Sequence, residues 1–538
     1  MTRIILPLAL ALALSTIPLA VVAAEPRLAA EQVLRKGNGP EVESLDPHRV
    51  EGVQASHVLR DLFESLVTEA ADGALIPGTA ERWDISADGM TYTFYLRRDA
   101  RWSNGDPFVA EDVVAGLRRS VDPATGSHYS KILSPIENAD AVIEGKLPVE
   151  RLGATALDPH TVEIRLKGPT PYFIGLLVHA SAYPIHRASV ERYGAQFAQP
   201  GKLVSNGAYQ LTERVIQSHI TLRRNPYYWN DASTVVEEVR YLNTEDVNSE
   251  LKRYRAGELD WTSTVPTSQT EWIKANLPEH YHEHTYLGVY YYGLNTGRPP
   301  LDSKALRQAL SLALDREIIT RKVLGGGQKP ADTWVPPGVI GHVPAQPEWM
   351  NWDRQQRLTE ARRLYAEAGY SEERPARVEI RYNTSEDHKK VASVIAAMWK
   401  QWLGVETVLI NEEWKVYLQN RRLKQKTQAF RAGWIGDYND ANTFMEILHS
   451  EHGLNDTGYA NPEYDALLEQ AGVEADLERR SDLMRQAEAL LLQDLPVIPI
   501  YFYVTTKLVR PTVVGWQGNL MDHHATRYMR ILGAPPAN

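Results

Sequence analysis

The chain has 538 residues, of which 43% are hydrophobic and 23% are charged, and its formal net charge is −10. At about 150 residues per domain, this length is enough for three or four domains with cores of their own. The negative net charge disfavours a nucleic-acid-binding surface. The sequence contains no cysteine, which excludes disulfides, thiolate metal sites and cysteine nucleophiles.

The first 24 residues have the pattern of a secretory signal peptide. Arg3 is followed by an apolar run, and small residues occupy positions 22–24, as they do before a cleavage site. We therefore predict a mature chain that starts at Glu25 and is exported to a Gram-negative periplasm. An uncleaved anchor is the alternative, but Pro7 and Pro18 interrupt the stretch. No membrane span is predicted in the mature chain, because no later uncharged apolar run reaches about 18 residues.

The first half of the mature chain is predicted to form short strands separated by turns. Apolar and polar residues alternate over Met90–Leu96 and Thr161–Leu166, and Asn206-Gly207 opens a pair of strands that ends at residues 224–229. Such alternation is typical of half-buried strands. The sequence shows no repeat of about 20–50 residues, which argues against a solenoid or a propeller.

The second half alternates between helices and strands. Asp302 is predicted to cap a helix whose apolar face continues to Ile318-Ile319 and which ends before Gly325. The helices that follow are Leu358–Ala368, Ser385–Leu403 and Glu412–Arg422, and the strands are Arg377–Tyr382, Val405–Ile410 and Gln428–Gly433. This alternation predicts an α/β fold in which helices cover a parallel sheet.

Two loops at the ends of these strands are candidates for ligand binding, because open α/β sheets bind ligands beyond the carboxyl ends of their strands. One loop is residues 383–388, which follow the strand ending at Tyr382. The other is residues 433–440, which place the carboxylate of Asp437 between aromatic residues. Both loops carry polar groups that a ligand could meet.

Catalytic signatures are missing from the sequence, so no enzyme and no cofactor are predicted. The chain has neither a G-x-x-x-x-G-K-[ST] phosphate loop nor a G-x-S-x-G nucleophile elbow. His280, His282 and His284 would share one face of a strand and could chelate a metal, but a solvated strand face is the favoured interpretation of so short a run. The 26 Tyr and 13 Trp against 8 Phe favour a recognition cleft that is apolar on one side and wet on the other.

Segments spread over the mature chain from Ser44 onward resemble the periplasmic oligopeptide-binding proteins of Gram-negative bacteria. These are receptors of peptide ABC importers and belong to solute-binding protein family 5. The matching segments occur in the family's order and are residues 44–48, 51–53, 102–107, 224–229, 383–388, 413–415, 431–439 and 501–503. The segment 431–439 is the most specific, whereas 225–229 has a pattern that dipeptide and nickel receptors share.

The resemblance implies an α/β, two-lobed periplasmic binding protein of type II, cluster C, with an extra domain. Domain I would be discontinuous and consist of residues 25–64, 188–288 and 505–538. Domain II would be residues 65–187, and domain III would be residues 289–504. A peptide would lie extended between the lobes, which close over it. Strand addition to its main chain would make binding largely independent of side-chain identity.

The resemblance also implies individual binding residues. Asp437 would pair with the α-ammonium group of the peptide, and His388, Arg421 or Arg431 would face its carboxylate. Further contacts to the peptide main chain and side chains would come from Glu51, Gly52, Val53, Tyr129, Asn383, Trp414, Gly433, Trp434, Ile435 and Tyr503.

Each assignment has an ordinary structural alternative. Asp437 could cap the helix predicted near residue 441, although residues 439–440 are better placed to do so. Glu51 could be an exposed loop acid, and Arg421 could belong to a solvated basic helix end. The aromatic residues could serve packing alone.

The sequence departs from the family in two places, which leaves the preferred peptide length open. Arg422 stands where histidine is usual, and residues 261–263 lack the asparagines of the relatives. Murein tripeptide, dipeptides, a metal chelate or an opine are alternative ligands of the same fold, and a secreted hydrolase with catalytic carboxylates is the alternative from another class. As partners of a monomeric receptor, the resemblance implies short peptides and an inner-membrane ABC permease with cytoplasmic ATPases.

Overall fold

The computed structural model describes residues 27–50, 52–127 and 129–533, without the side chains of Trp414 and Lys415. The predicted signal peptide and Glu51 therefore lie outside the described residues. The strands are β1 Val33–Gly37, β2 Val67–Glu69, β3 Leu75–Pro77, β4 Ala80–Ile85, β5 Thr91–Leu96, β6 Ala154–Asp158, β7 Thr161–Arg165, β8 Tyr209–Val215, β9 His219–Arg224, β10 Glu238–Leu242, β11 Tyr281–Leu294, β12 Lys329–Pro330, β13 Arg377–Asn383, β14 Glu406–Glu412, β15 Ala429–Ile435, β16 Val497–Leu508, β17 Val513–Val514 and β18 Arg530–Ile531.

Helices lie between these strands and become long in the second half of the chain. They are α1 Val53–Leu62, α2 Ala110–Val121, α3 Ala139–Ile143, α4 Phe173–Leu176, α5 Arg187–Tyr193, α6 Val247–Ala256, α7 Thr270–Asn276, α8 Lys304–Leu312, α9 Arg354–Glu367, α10 Glu386–Leu403, α11 Trp414–Arg422, α12 Asn442–Met445, α13 Pro462–Gly472 and α14 Leu477–Asp494. None of the helices in the part of the chain that the structure describes is both long and apolar enough to cross a membrane.

Two four-stranded sheets organise the first half of the chain. One has the order β1-β10-β9-β8, with β1 parallel to β10, and the other has the antiparallel order β4-β5-β7-β6. The alternation in β5 buries Tyr92, Phe94 and Leu96 on one face, because successive strand side chains point to opposite sides. The strands predicted around Met90–Leu96 and Thr161–Leu166 are thus confirmed.

One hydrophobic core joins both of these sheets to the end of the chain. Val509, Val513 and Met529 from the C-terminal segment pack into the same cluster as Leu34 of β1 and Phe94 of β5. Each four-stranded sheet draws its strands from a single one of the predicted domains. The boundaries between the three domains stay a prediction.

The largest sheet has six strands in the order β12-β16-β11-β15-β13-β14. The predicted parallel arrangement is correct for β14, β13 and β15 and wrong for the rest, because β15, β11, β16 and β12 pair antiparallel. The strands β11 and β16 are 14 and 12 residues long and lie outside the segment whose alternation predicted parallel pairing. The sheet is therefore mixed.

The helix boundaries follow their capping residues. Ser385 caps α10 through the amide of His388, and Gly404 ends the helix in a left-handed conformation. The helix predicted over Ser385–Leu403 is confirmed, with Ser385 as its cap rather than its first residue. The prediction for Asp302 is wrong, because the hydroxyl of Ser303 caps α8 instead. The helix also ends at Leu312, and a separate π-helical turn covers Ile318–Leu324.

Candidate functional site

The two halves of the molecule touch through a pair of stacked tyrosines. Tyr172, which precedes α4, and Tyr438, which follows β15, have ring centroids 5.2 Å apart and nearly parallel planes. The guanidinium group of Arg480 lies 5.0 Å from the Tyr172 ring and forms two hydrogen bonds to Asp440, at 2.7 and 2.8 Å. Tyr438 thereby packs against the core of the first half. The segment after β15 thus lies where the lobes meet.

Asp437 occupies this meeting point with its carboxylate unpaired. Its backbone N–H donates to the hydroxyl of Thr443 at 3.1 Å, and that hydroxyl also accepts the indole N–H of Trp434 at 3.4 Å. The carboxylate makes no hydrogen bond or ion pair with any described residue. Burial raises the pKa of Asp437 to about 7, because a desolvated carboxylate favours its neutral form. A cation from outside the protein would reverse that shift.

Glu446 provides a second carboxylate beside Asp437. It accepts hydrogen bonds from the hydroxyl of Tyr438 at 3.2 Å and from the amide of Asn442 at 3.0 Å. Burial and then the negative charge of Asp437 raise the pKa of Glu446 to about 8. A positively charged group that binds beside these two buried carboxyl groups would favour their ionised forms.

Capping does not account for Asp437. Asp440 accepts the backbone N–H of Asn442 at 2.8 Å, directly ahead of α12, as expected for the better-placed residue. The capping alternative for Asp437 therefore finds no support in the contacts of its carboxylate. Its assignment as the ammonium partner of a ligand stays a prediction.

The strand β15 has an edge without a neighbouring strand next to Asp437. On one side, Gly288–Leu294 of β11 pairs with the whole strand, whereas on the other side β13 pairs only with Ala429 and Phe430. The amide of Gly436 donates to Leu287 of β11. Since backbone groups alternate in direction along an antiparallel strand, those of Gly433 and Ile435 point away from β11. Among the described strands none covers this edge beyond Phe430.

Gly433 is also a position of close approach. A Cβ atom on this residue would come within 2.5 Å of the Tyr503 hydroxyl, so a larger residue would displace that ring. The main chain of β15 and the side chain of Tyr503 are therefore packed directly together. Gly433, Trp434, Ile435 and Tyr503 of the predicted site lie side by side.

Arg431 forms the basic end of the site. Its guanidinium group donates to the hydroxyl of Tyr503 at 3.1 Å and to the Oδ1 atom of Asn383 at 3.4 Å, and it lies 4.7 Å from the centre of the Tyr290 ring. No described carboxylate is within ion-pair distance of it. Burial, and next the charge of Arg431, lower the pKa of His388 to about 2. His388 is therefore neutral, and Arg431 carries the positive charge of this cluster.

Arg421 stands apart from this cluster and is already neutralised. It forms an ion pair with Asp456 at 2.5 Å and lies over the ring of Phe430. Phe430 and Arg431 are consecutive in β15 and point to opposite faces of the sheet. Arg421 therefore lies on the face opposite to Arg431, and its predicted carboxylate contact is untested.

The remaining predicted contacts come from the first lobe. Gly52 is the extended residue ahead of α1, and Val53, the first residue of that helix, is 41% exposed. The ring of Tyr129 lies 5.1 Å from that of His179. Glu51 and the side chain of Trp414 lie outside the described residues, so their roles stay predictions.

We expected His280, His282 and His284 to form a solvated strand face, and the structure shows that this expectation is wrong. The rings of His282 and His284 lie edge-on to Trp516, at 4.7 and 5.9 Å, and both side chains are half-buried. Within the described ranges no group of three or more His, Asp or Glu side chains could hold a metal ion. His282 and His284 therefore pack around a tryptophan, whereas His280 packs edge-on against Tyr254.

Sequence patterns did not reveal three residues that shape the site. Thr443 positions Asp437 and Trp434, Glu446 adds the second charge, and Tyr172 closes the lobes over them. No motif marks any of the three. Only the spacing between Asp437 and Glu446, which spans the short helix α12, could have indicated that the two acids meet.

Comparisons with known proteins agree on one class. The family model for bacterial extracellular solute-binding proteins, family 5, matches residues 74–456. The periplasmic oligopeptide-binding protein OppA of Escherichia coli is 41% identical over 94% of this chain and 93% of its own length. The chain belongs to family 5 of the bacterial solute-binding proteins, which confirms the family and fold class expected from the sequence.

Solved structures give the same result at the level of the fold. The OppA protein of Haemophilus influenzae in complex with the peptide RPPGFSPFR superposes with a TM-score of 0.86 at 40% identity, covering 94% of this chain and 100% of that one. The Escherichia coli murein tripeptide-binding protein MppA superposes at 0.88, with 37% identity and coverage of 94% and 100%. Its unliganded open form reaches 0.77. The chain therefore superposes better on the peptide complex of OppA than on the open form of MppA.

Proposed function

We propose that this protein is a periplasmic receptor that binds short peptides between its lobes and delivers them to an ABC permease. One observation carries the proposal. The edge of β15 that no described strand covers runs between Asp437 and Arg431. Among the described residues, the carboxylate of Asp437 has no cationic partner and the guanidinium group of Arg431 has no carboxylate partner. A peptide zwitterion has the complementary charges at its two ends and the complementary hydrogen-bonding groups along its main chain.

The dimensions suit a short peptide. Asp437 lies six residue steps beyond Arg431, which is at most roughly 22 Å of extended chain. A peptide of three to five residues extends over a comparable or shorter length, at about 3.3 Å per residue. Gly433 and Ile435 would bond to its main chain, so its side chains would contribute little to affinity. The relatives named for oligopeptides and for murein tripeptide support this class of ligand.

Calorimetry with matched peptides tests the proposal. Free tri- to pentapeptides should bind, and the same peptides should lose most of their affinity when the amino end is acetylated or the carboxyl end is amidated. Acetylation removes the charge that Asp437 needs, and amidation removes the charge that Arg431 needs. Equal affinities for free and doubly blocked peptides would contradict the two-ended site.

Murein tripeptide and dipeptides are the second candidates, and the similarity of the murein tripeptide-binding protein MppA, with its TM-score of 0.88, supports the first of these. A thermal-shift panel of free tripeptides, dipeptides and murein tripeptide separates these ligands by the size of the shift that each produces. Mass spectrometry of the peptide after incubation distinguishes a receptor from a hydrolase, because a receptor returns the peptide intact. Osmotic-shock fluid should contain the mature chain starting at Glu25, and cells without the protein should take up less labelled tripeptide.

A further inference from the structure

A pocket in the first lobe has five Lys, Arg or His residues and one acidic residue in its lining. Lys36, His57, Arg60, Lys507 and His524 surround it, and Asp522 is the acidic residue of its lining. The pocket lies between the end of β1, one face of α1 and the C-terminal segment. Neither the Asp437 end nor the Arg431 end of the proposed peptide site includes these residues.

Lys36 is a buried cation that lacks an acidic partner. The residue is 6% exposed, and its ammonium group donates to the carbonyl of His524 at 3.2 Å. It lies 5.3 Å from the ring centres of Tyr241 and Trp261. No described carboxylate is within ion-pair distance of it. An ammonium group has three donors, and two of those of Lys36 have no hydrogen-bond acceptor among the described residues.

The neighbouring acids are already engaged. Asp522 pairs with Lys507 at 2.7 Å and accepts from His524 at 2.8 Å. Asp61, behind the pocket, accepts from the hydroxyl of Tyr241 and from both the amide and the hydroxyl of Thr526. Neither acid forms an ion pair with Lys36 among the described residues, although the negative charge of Asp61 still acts on its ammonium group. Burial lowers the pKa of Lys36 to about 8, which leaves it mostly protonated near neutral pH.

A second donor of the lining is unsatisfied as well. Arg60 donates through one terminal nitrogen to Glu69 at 2.6 Å and directs the other to His523 at 2.8 Å. Its Nε atom is buried and has no hydrogen-bond partner among the described residues. This N–H group is therefore available to an acceptor from outside the chain.

We propose that this pocket is a binding site for one small monovalent anion, held by the ammonium group of Lys36 with Arg60 as a second donor. Two sources supply that chemistry, a free halide ion and a carboxylate side chain of the bound peptide. The second source rests on the proposed peptide-binding function. Gly52 and Val53, the predicted peptide contacts, begin α1, and His57 and Arg60 follow about one and two helical turns later. A peptide side chain at the start of α1 would therefore be directed along this lining.

Halide binding can be tested without any peptide. Crystals soaked in bromide should show anomalous density beside the Lys36 ammonium group in the wild type and none in the Lys36→Met variant. In solution, chloride should raise the Tm of the wild type relative to gluconate at equal ionic strength, and the rise should be absent in Lys36→Met. The rise should also fade as the pH passes through about 8. Lys146→Met, the same change at a side chain that is 73% exposed, should keep the chloride response.

The peptide arm compares glutamate with glutamine at each position of a tripeptide. If the peptide supplies the anion, glutamate at one position should bind about tenfold tighter than glutamine, and Lys36→Met should remove that preference while still binding the glutamine peptide. Failure of all peptides to bind would contradict the proposed function and leave the halide result to stand by itself. Absence of both the bromide site and the glutamate preference in wild-type protein would overturn the anion pocket.

Discussion

The ring of Tyr172 lies parallel to the ring of Tyr438, at a centroid distance of 5.2 Å and an interplanar angle of 6°. The two residues belong to different lobes, and Tyr438 directly follows Asp437. The lobes are therefore joined immediately beside the carboxylate that we assign to the ligand. The contact that joins the two lobes is thus adjacent in sequence to the residue that would bind the amino end of the peptide.

Removing this stack should weaken binding without altering the ligand contacts. Tyr172→Ala loses an aromatic pair worth about 0.5–1.5 kcal/mol, so peptide affinity should fall by about two- to tenfold. Tyr172→Phe keeps the stacked ring and should bind like the wild type. Calorimetry measures the affinities, and small-angle scattering should show a more open mean shape for the alanine variant. Equal affinity in Tyr172→Ala would mean that the stack does not contribute to closure.

Asp437→Asn should reduce affinity and stabilise the ligand-free protein at the same time. Leaving a buried ammonium group unpaired costs about 3–5 kcal/mol, so peptide binding should become weaker by at least about a hundredfold. Calorimetry checks this loss.

The stability gain has a defined pH range. Because the folded pKa of Asp437 is raised to about 7, ionisation of this carboxylate lowers stability progressively as pH rises from its unfolded pKa to its folded pKa. The Tm of Asp437→Asn should therefore exceed that of the wild type above pH 7 and approach it in acid. Identical pH profiles of Tm for the two ligand-free proteins would show that Asp437 is not desolvated.

Peptide binding should release protons near neutral pH. Asp437 and Glu446 have pKa values raised to about 7 and about 8, and an ammonium group beside them favours their ionised forms. Calorimetry in buffers of different ionisation enthalpy measures the released protons, and affinity should decline as pH falls below about 7. Glu446→Gln should release fewer protons, since it removes one titrating group and the charge that it places next to Asp437. Binding heats that do not depend on the buffer would refute the linkage.

The two arginines should behave differently. Arg431→Gln should bind free and carboxyl-amidated peptides equally, because it removes the one cation of the Tyr503 cluster that has no described acidic partner. Arg421→Gln serves as the matched control. It breaks a buried pair with Asp456 and should lower the Tm, yet keep the preference for a free carboxylate. If Arg421→Gln lost the preference for a free carboxylate and Arg431→Gln kept it, the carboxylate of the peptide would be assigned to Arg421 instead.

Local signals in the sequence predicted the elements whose ends are set by single residues. Ser385 and Gly404 cap both ends of α10, and the predicted helix Ser385–Leu403 matches it to within one residue. At α8, Asp302 and Ser303 are adjacent and are similarly favoured as N-cap residues. Local preference therefore could not predict that Ser303 is the cap. The antiparallel pairing of β11 with β16 joins residues more than 200 positions apart, and no periodicity reports such a contact.

Some residues of the candidate site could likewise be predicted from the sequence, and others could not. Asp437 and Arg431 lie in a segment that resembles a known family, so their positions could be predicted. The pairing of Arg421 with Asp456 could not, because it depends on which face of β15 each side chain occupies. The tyrosine stack likewise arises from distant segments brought together by the fold, whereas Glu446 is close to Asp437 in the sequence and no motif marks it.

The pairing of β11 with β16 changes register between Thr285 and Val289, where three residues of β11 face only Tyr503 of β16. A strand bends most readily where its regular ladder is interrupted. These two strands run from the first lobe into the large sheet, so we expect lobe motion to pivot at this irregularity, beside Tyr503. Rotation of one lobe against the other would then turn the Tyr503 ring, which hydrogen-bonds to Arg431. Opening of the lobes would thereby disturb the basic end of the site and favour release of the ligand.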